Sequence, residues 1–202
     1  MDPRAAPEER PPFTLLVVVF YGGMVALAYA VAWLFDVDDL YHMEQGWPGP
    51  WPDWMGIGAG IAFGALAHLA SRFARRRYAW AKGFYDRMYE LLGPLSLPQV
   101  IVAAAASGFA EELLFRGALF PVIGLFGSSA VFGLLHVGPG REFRVWPVYA
   151  AVMGLCFALL YQASGTLLAP ILAHFTVNFF GLADLVPGDE EPSRPTDGPP
   201  SE

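Results

Sequence analysis

Long apolar segments separated by short polar connections make up most of the chain. The first segment, residues 13–35, contains no charged side chain. A helix needs about 20 apolar residues to cross the ~30 Å hydrocarbon core of a bilayer. Similar segments follow at about 54–70, 97–119, 121–138, 146–163 and 166–186. The pattern predicts an all-α fold, a polytopic membrane helix bundle of about six transmembrane helices.

The first two connections carry opposite charge. Residues 36–53 hold five acidic side chains and no Lys or Arg, whereas residues 71–94 hold six basic side chains. Basic connections favour the cytoplasmic side of a membrane. We therefore expect residues 71–94 and the N-terminus in the cytoplasm, and residues 36–53 on the outer side.

These patterns divide the chain into four parts. Residues 1–12 are predicted to be a cytoplasmic tail, and residues 13–94 two transmembrane helices with an acidic outer loop and a basic inner loop. The second of these helices carries Gly56, Gly58, Gly60 and Gly64, which suit close helix contact. Residues 95–186 hold the remaining helices and are predicted to be a catalytic helix bundle. Residues 187–202 are rich in proline and acidic side chains, which is typical of a disordered tail.

Composition limits the functions that are open to the chain. The 202 residues carry 12 Lys and Arg against 19 Asp and Glu, a formal net charge of -7. This excess of acid argues against a nucleic-acid partner, which would require a basic surface. The single cysteine, Cys156, excludes an internal disulfide framework and a cysteine-based zinc site.

Formal charges inside the apolar segments cluster at Glu111, Glu112 and Arg116. An ionisable side chain near the bilayer centre costs about 2.5–3.5 kcal/mol on insertion scales, so these residues indicate a function. Glu112 and Arg116 are four positions apart on one helical face and are expected to form an ion pair. Glu111 projects about 100° away around the helix and is left without a cation on its own helix.

Two later segments contribute imidazole and amide groups. His136 closes the segment at 121–138, and His174 and Asn178 lie one turn apart on one face of the last segment. Polar side chains of a membrane bundle face its interior, so we expect these groups to meet Glu111 there. Simple alternation of helices places Glu111 in the outer half of the membrane and His136 in the inner half. Their meeting therefore requires a departure from that alternation.

One carboxylate, two imidazoles and an amide suit the activation of water. A buried Glu111 can act as general base, and a nearby imidazole can orient the water. A second histidine with an asparagine one turn away offers two donors to a developing oxyanion. These groups indicate hydrolysis of an amide bond in the membrane or at its edge. Alternatively, Glu111, His136 and His174 could bind a divalent metal such as zinc, with an open fourth position.

Three sequence blocks follow one another within about residues 95–186. They are Glu111-Glu112-x-x-x-Arg116, Phe132-x-x-x-His136 and His174-x-x-x-Asn178. In this order, each within an apolar segment, the blocks resemble the CPBP family. This family comprises the CAAX prenyl proteases of the Ras-converting type and their bacterial relatives, which are glutamic-type intramembrane endopeptidases.

The resemblance implies a role for each of these residues. Glu111 would be the general base on a water molecule that His136 shares, and His174 and Asn178 would form the oxyanion site. The ion pair of the first block would support these groups, and Phe132 would shape the pocket. The implied enzyme uses no cofactor, and a divalent metal remains the alternative.

The resemblance also implies a substrate, which would be a membrane protein or a lipid-anchored peptide processed near its C-terminus. The high content of Ala, Gly, Pro and Arg is typical of a bacterial protein, so we expect the enzyme in the inner membrane of a bacterium. The bacterial myxosortases, which process C-terminal membrane anchors, are similar in size. Two other functions remain open. One is a non-catalytic immunity or scaffold protein of the same fold, and the other is a proton or ion transporter with Glu111 and the histidines as relays.

Overall fold

The computed structural model describes residues 12–43 and 51–186. Within these residues seven α-helices follow one another in the order α1 (Phe13–Leu34), α2 (Asp53–Arg77), α3 (Ala79–Leu92), α4 (Leu97–Glu112), α5 (Phe120–Leu135), α6 (Trp146–Ser164) and α7 (Leu168–Ala183). A π-helical stretch, Leu113–Leu119, joins α4 to α5, and a 3₁₀ turn, Arg141–Val145, precedes α6. The predicted all-α fold class is confirmed. The predicted tails, apart from residue 12, and part of the acidic connection lie outside the described residues.

Several of these helices are long and apolar enough to cross a membrane. Among the described residues four stretches meet this condition: Phe13–Leu34, Asp53–Arg77, Leu97–Leu135 and Arg141–Ser164. The α7 helix is apolar but shorter, with 16 residues. Large apolar side chains of α1 face outward, among them Trp33 with 82% exposure. An apolar surface of this extent is typical of a helix that lies against lipid, and the chain is an integral membrane protein.

The α3 helix lies in the basic connection, where we predicted no helix. It packs against α2 and against the 3₁₀ turn, and it leaves Trp80 and Tyr89 exposed. Its apolar residues alternate with charged ones, so no uninterrupted apolar run marks it in the sequence. The helix forms because one side, including the buried Ala81, packs against its neighbours, while the other side carries charged side chains together with exposed aromatic ones.

The predicted helices at 97–119 and 121–138 form one helical path that reverses at Gly124. This glycine has φ 72° and ψ -177°, a conformation that strains other residues. A straight helix would hold residues 111 and 136 about 38 Å apart. Instead, α5 returns beside the π-helical stretch, and Glu111 Oε2 lies 3.7 Å from His136 Nε2. The departure from simple alternation is therefore a hairpin within a single helical path.

The centre of the bundle is built from α4, the π-helical stretch and α7. The α4 helix packs on both α1 and α7, α5 packs on α6, and α6 packs on α7. The largest buried apolar cluster includes Phe115, Phe132 and Tyr161. As a result, parts of four helical elements meet at the centre of the bundle.

Close contact between α2 and α7 depends on glycines of α2. Gly56, Gly60 and Gly64 recur at every fourth position and are buried. A Cβ atom at Gly60 would collide with the carbonyl oxygen of Ala169 on α7. Gly58, which we also expected in this contact, has no neighbouring atom within 4 Å of such a Cβ. Glycines at a spacing of four let two helix backbones approach each other in lipid, where packing drives helix association.

Replacing Gly64 by Val is expected to destabilise the protein by about 1–3 kcal/mol through overpacking. A Cβ atom at this position would lie 2.5 Å from Thr176 Cβ and 2.7 Å from the carbonyl oxygen of Ala173. Thermal unfolding of the purified protein in detergent measures the loss. Gly58→Val is the matched control, because its added atoms enter open space. Equal unfolding temperatures for the two variants would contradict the contact.

Candidate active site

The carboxylate of Glu111 lies at the centre of the site. Its side chain is 8% exposed, and its Oε2 atom lies 3.7 Å from His136 Nε2 and 3.8 Å from His174 Nε2. The other oxygen, Oε1, accepts a hydrogen bond of 3.1 Å from the hydroxyl of Tyr21 on α1. Within the described residues, Oε2 has no hydrogen-bond partner. The α4 helix therefore presents one free carboxylate oxygen to two imidazoles.

Glu112 and Arg116 form an ion pair that is shielded from solvent. Arg116 Nη1 lies 2.9 Å from Glu112 Oε1, and both side chains have 0% exposure. The other terminal nitrogen, Nη2, donates to the carbonyl oxygen of Gly154 on α6 at 2.7 Å. The guanidinium carbon lies 4.7 Å from the ring centroid of Phe132, within the range of a cation–π contact. One arginine thus joins α4, α5 and α6 beside the candidate base.

Glu112 also contacts a residue on another helix, which its four-residue spacing from Arg116 did not predict. Its Oε1 atom also lies 2.7 Å from His174 Nδ1 on α7. A carboxylate paired with arginine only accepts hydrogen bonds, so His174 Nδ1 carries the proton and donates it. In the neutral ring Nε2 is then an acceptor, and it faces Glu111. His174 can donate from Nε2 only as an imidazolium, whose positive charge Glu112 offsets.

The tautomer of His136 is fixed by the backbone of α5. Its Nδ1 atom lies 2.6 Å from the carbonyl oxygen of Phe132. Because a carbonyl only accepts, Nδ1 donates and the lone pair of Nε2 faces Glu111. The 3.7 Å between His136 Nε2 and Glu111 Oε2 is too long for a direct hydrogen bond. A small molecule that donates two hydrogen bonds, such as water, would satisfy both acceptors.

The amide of Asn178 is held by a serine of α4. Asn178 Nδ2 donates to Ser107 Oγ at 2.8 Å, and the Ser107 hydroxyl donates to the carbonyl oxygen of Ala104 at 3.2 Å. Because Ser107 takes one N–H, the other N–H of the amide remains for a substrate. His174 and Asn178 thus both project from α7 toward α4, but each contacts a different partner there.

Two residues of the site, Tyr21 and Ser107, were missed by sequence reasoning. Hydroxyl side chains are ordinary on membrane helices and carry no formal charge, so neither stood out. A signal for Tyr21 was its place near the middle of a long uncharged segment. A signal for Ser107 was its spacing of four residues before Glu111, which puts both side chains on one helical face.

A cleft of about 60 Å³ opens beside the two histidines, and this volume holds more than one water molecule. Its walls are apolar at Trp146, Met153 and Phe157 and polar at His136, His174 and Asn178. The ring of Phe157 stacks on His174 with centroids 4.9 Å apart, and the ring of Phe132 lies 4.4 Å from that of His136. Aromatic rings therefore hold both imidazoles in place next to a cleft that is large enough for water.

The end of α7 beyond Asn178 is fixed by α2 and α3. Arg75 Nη2 lies 3.0 Å from Asp184 Oδ2, and the hydroxyl of Tyr85 donates to the carbonyl oxygen of Gly181 at 2.9 Å. Burial, together with the neighbouring Asp184 carboxylate, raises the pKa of Tyr85 to about 12. These contacts hold the helix that carries His174 and Asn178.

The three atoms that converge, two imidazole nitrogens and one carboxylate oxygen, are of the types that zinc accepts. Each imidazole also donates its other N–H to an oxygen, as metal-bound histidines commonly do. Across residues 12–43 and 51–186, however, no group of three or more His, Cys, Asp or Glu side chains is arranged to hold a metal ion. The alternative metal set, Glu111, His136 and His174, therefore stays a prediction.

Fold and site together define a class, an integral membrane helix bundle with a carboxylate, two histidines and an amide at its centre. Residues 93–180 match the family model described as Type II CAAX prenyl endopeptidase Rce1-like. The resemblance indicated by the three blocks is confirmed, and the family supports a protease-type role.

A relative of the chain is also found along most of its length. The uncharacterized protein YpbD of Bacillus subtilis (strain 168) is 29% identical over 164 residues, which cover 77% of this chain and 81% of YpbD. No solved structure gives a significant match.

Proposed function

We propose that this protein is a glutamic-type intramembrane endopeptidase that hydrolyses a peptide bond with water activated by Glu111. The observation that carries the proposal is the convergence of one free carboxylate oxygen and two imidazole Nε2 atoms within 4 Å beside an open cleft. A scaffold protein has no need of such a group. The endopeptidase family matched by residues 93–180 supports the same reading.

The first step uses the two acceptors that face each other. A water molecule between Glu111 Oε2 and His136 Nε2 donates one hydrogen bond to each. As its oxygen attacks the peptide carbonyl carbon, one proton moves to Glu111 Oε2, and a new C–O bond forms. The carbonyl C=O becomes a single bond with negative charge on its oxygen.

The second step uses donors on α7. Asn178 offers its free N–H to the oxyanion, and His174 offers Nε2–H as an imidazolium held by Glu112. The C–N bond then breaks, and the proton on Glu111 passes to the leaving amine. The products are a carboxylic acid and an amine, and the site returns to its starting state.

The aromatic cleft favours a substrate with an apolar side chain beside the scissile bond. We propose that the substrate is a membrane protein or a lipid-anchored peptide that is cut near its C-terminus, in the inner membrane of a bacterium. The proposed N-terminus is cytoplasmic. On this orientation α3 and the basic end of α2 face the cytoplasm, in agreement with the preference of Arg and Lys for that side.

The proposal is tested in cells that carry either the wild-type chain or Glu111→Gln. Mass spectrometry of membrane proteins is expected to show shortened C-terminal segments of one or more proteins with the wild-type chain only. Glu90→Gln is the matched control, because this carboxylate lies on α3, is 60% exposed and does not line the cleft. Identical C-terminal peptides in all three samples would argue for a non-catalytic role.

A metal-free preparation is expected to retain full activity, because the proposed base, water and oxyanion donors need no Lewis acid. The measurement combines metal analysis of the purified protein with its hydrolysis rate on a substrate found in cells, before and after treatment with a chelator. Loss of activity on chelation, with recovery on addition of zinc, would favour the alternative set of Glu111, His136 and His174.

A further inference from the structure

The hydrogen bond of Tyr21 reaches the candidate base from outside the family match. Tyr21 lies on α1, whereas the match covers residues 93–180. Its hydroxyl donates to Glu111 Oε1 at 3.1 Å, while Oε2 of the same carboxylate faces His136 and His174. The two oxygens of Glu111 therefore have different environments, and the tyrosine hydroxyl makes the difference.

From this geometry we infer that Tyr21 is a positioning residue that holds Glu111 with Oε2 aimed at the two imidazoles. A glutamate side chain has several rotatable bonds, and an unbound carboxylate in an apolar bundle would sample other orientations. The hydroxyl occupies Oε1 and leaves Oε2 to accept a proton. The inference rests on the proposed function of Glu111 as general base.

The surroundings of Tyr21 support this role. The α1 helix packs directly on α4 and on the π-helical stretch, so the position of the hydroxyl relative to Glu111 is set by helix packing. The hydroxyl of Tyr29, about two turns further along the same helix, contacts that of Tyr41 at 2.7 Å and lies away from the site. The α1 helix thus provides one hydroxyl that reaches the site and a second that serves as an internal control.

The first test needs no substrate. Purified wild type, Tyr21→Phe and Tyr29→Phe are treated in detergent with dicyclohexylcarbodiimide, which modifies buried carboxyl groups, and labelling of Glu111 is followed by mass spectrometry. Tyr21→Phe frees Oε1, so Glu111 is expected to label several-fold faster than in wild type, and Tyr29→Phe is expected to match wild type. Glu111→Gln identifies the labelled site. Equal labelling in all three proteins would overturn the inference.

The second test measures hydrolysis of a substrate found in cells. Tyr21→Phe is expected to lower kcat about 10–100-fold, which is typical of the loss of a hydrogen bond to a charged group, with KM unchanged because the cleft is intact. An unchanged kcat, or a rise in KM alone, would overturn the positioning role. Absence of hydrolysis in wild type would contradict the proposed function instead, and the labelling comparison would still decide whether Tyr21 controls the carboxyl group.

Discussion

Purified Glu111→Gln protein is expected to hydrolyse its substrate about 10²–10⁴-fold more slowly than wild type. Glutamine has nearly the same size and can still accept the hydrogen bond from Tyr21. It cannot take a proton from water, and the removal of a general base typically costs 10²–10⁴-fold in rate. The measurement is the rate of peptide release by wild type and variant in the same detergent or lipid.

The loss of rate can be attributed to the missing general base only if the variant folds as the wild type does. Thermal unfolding of Glu111→Gln is expected to match wild type, because the substitution removes no packed atom and leaves no unpaired charge. Glu90→Gln, on the exposed surface of α3, controls for the loss of one carboxylate. If Glu111→Gln hydrolyses the substrate at the wild-type rate, Glu111 is not the base.

Replacing Arg116 by Ala is expected to cost about 3–5 kcal/mol of folding free energy, enough to remove most folded protein. The guanidinium is completely buried and has Glu112 and the carbonyl oxygen of Gly154 as partners. Its removal leaves a buried carboxylate without its cation. The yield of monodisperse protein after extraction, and the unfolding temperature of what remains, measure the effect. Arg87→Ala, which breaks the exposed pair with Glu90, is expected to cost only about 0–1 kcal/mol.

A double variant separates the structural role of this pair from its role in the site. Glu112→Leu combined with Arg116→Met removes both charges at similar volume, a change that is often neutral or stabilising for a buried pair. We expect folded protein to return but activity to stay low, because His174 loses the acceptor of its Nδ1 proton. Full activity in a folded double variant would show that Glu112 does not set the protonation of His174.

The fold class could be predicted from the sequence because a long apolar segment by itself indicates a helix that is buried in lipid, whichever helices it packs against. The reversal at Gly124 did not follow. The chain has 22 glycines, and in membrane helices most of them permit close packing and do not break the helix, as Gly60 and Gly64 do here. The sequence indicated a reversal only indirectly, because Glu111 and His136 can meet only if the helical path turns back between them.

The sequence predicted those residues of the candidate site whose side chains cost free energy when they are placed in lipid. Glu111, His136, His174 and Asn178 stood out because charged and strongly polar side chains are rare there. The contact between Glu112 and His174 depends on the register of α7 against α4, which no local pattern specifies. The same holds for Tyr21, whose partner lies 90 residues later in the chain.

The end of α5 leaves a backbone carbonyl oxygen without its helical partner, and the side chain of His136 satisfies it. The end of a helix leaves carbonyl oxygens without the N–H groups of a following turn, and a buried carbonyl oxygen needs another partner. The carbonyl of Phe132 is such a group, and the Nδ1–H of His136 satisfies it. The imidazole is therefore the C-terminal cap of its own helix. For this reason a substitution of His136 removes a cap as well as a water acceptor, and any loss of activity must be corrected for fraying of α5.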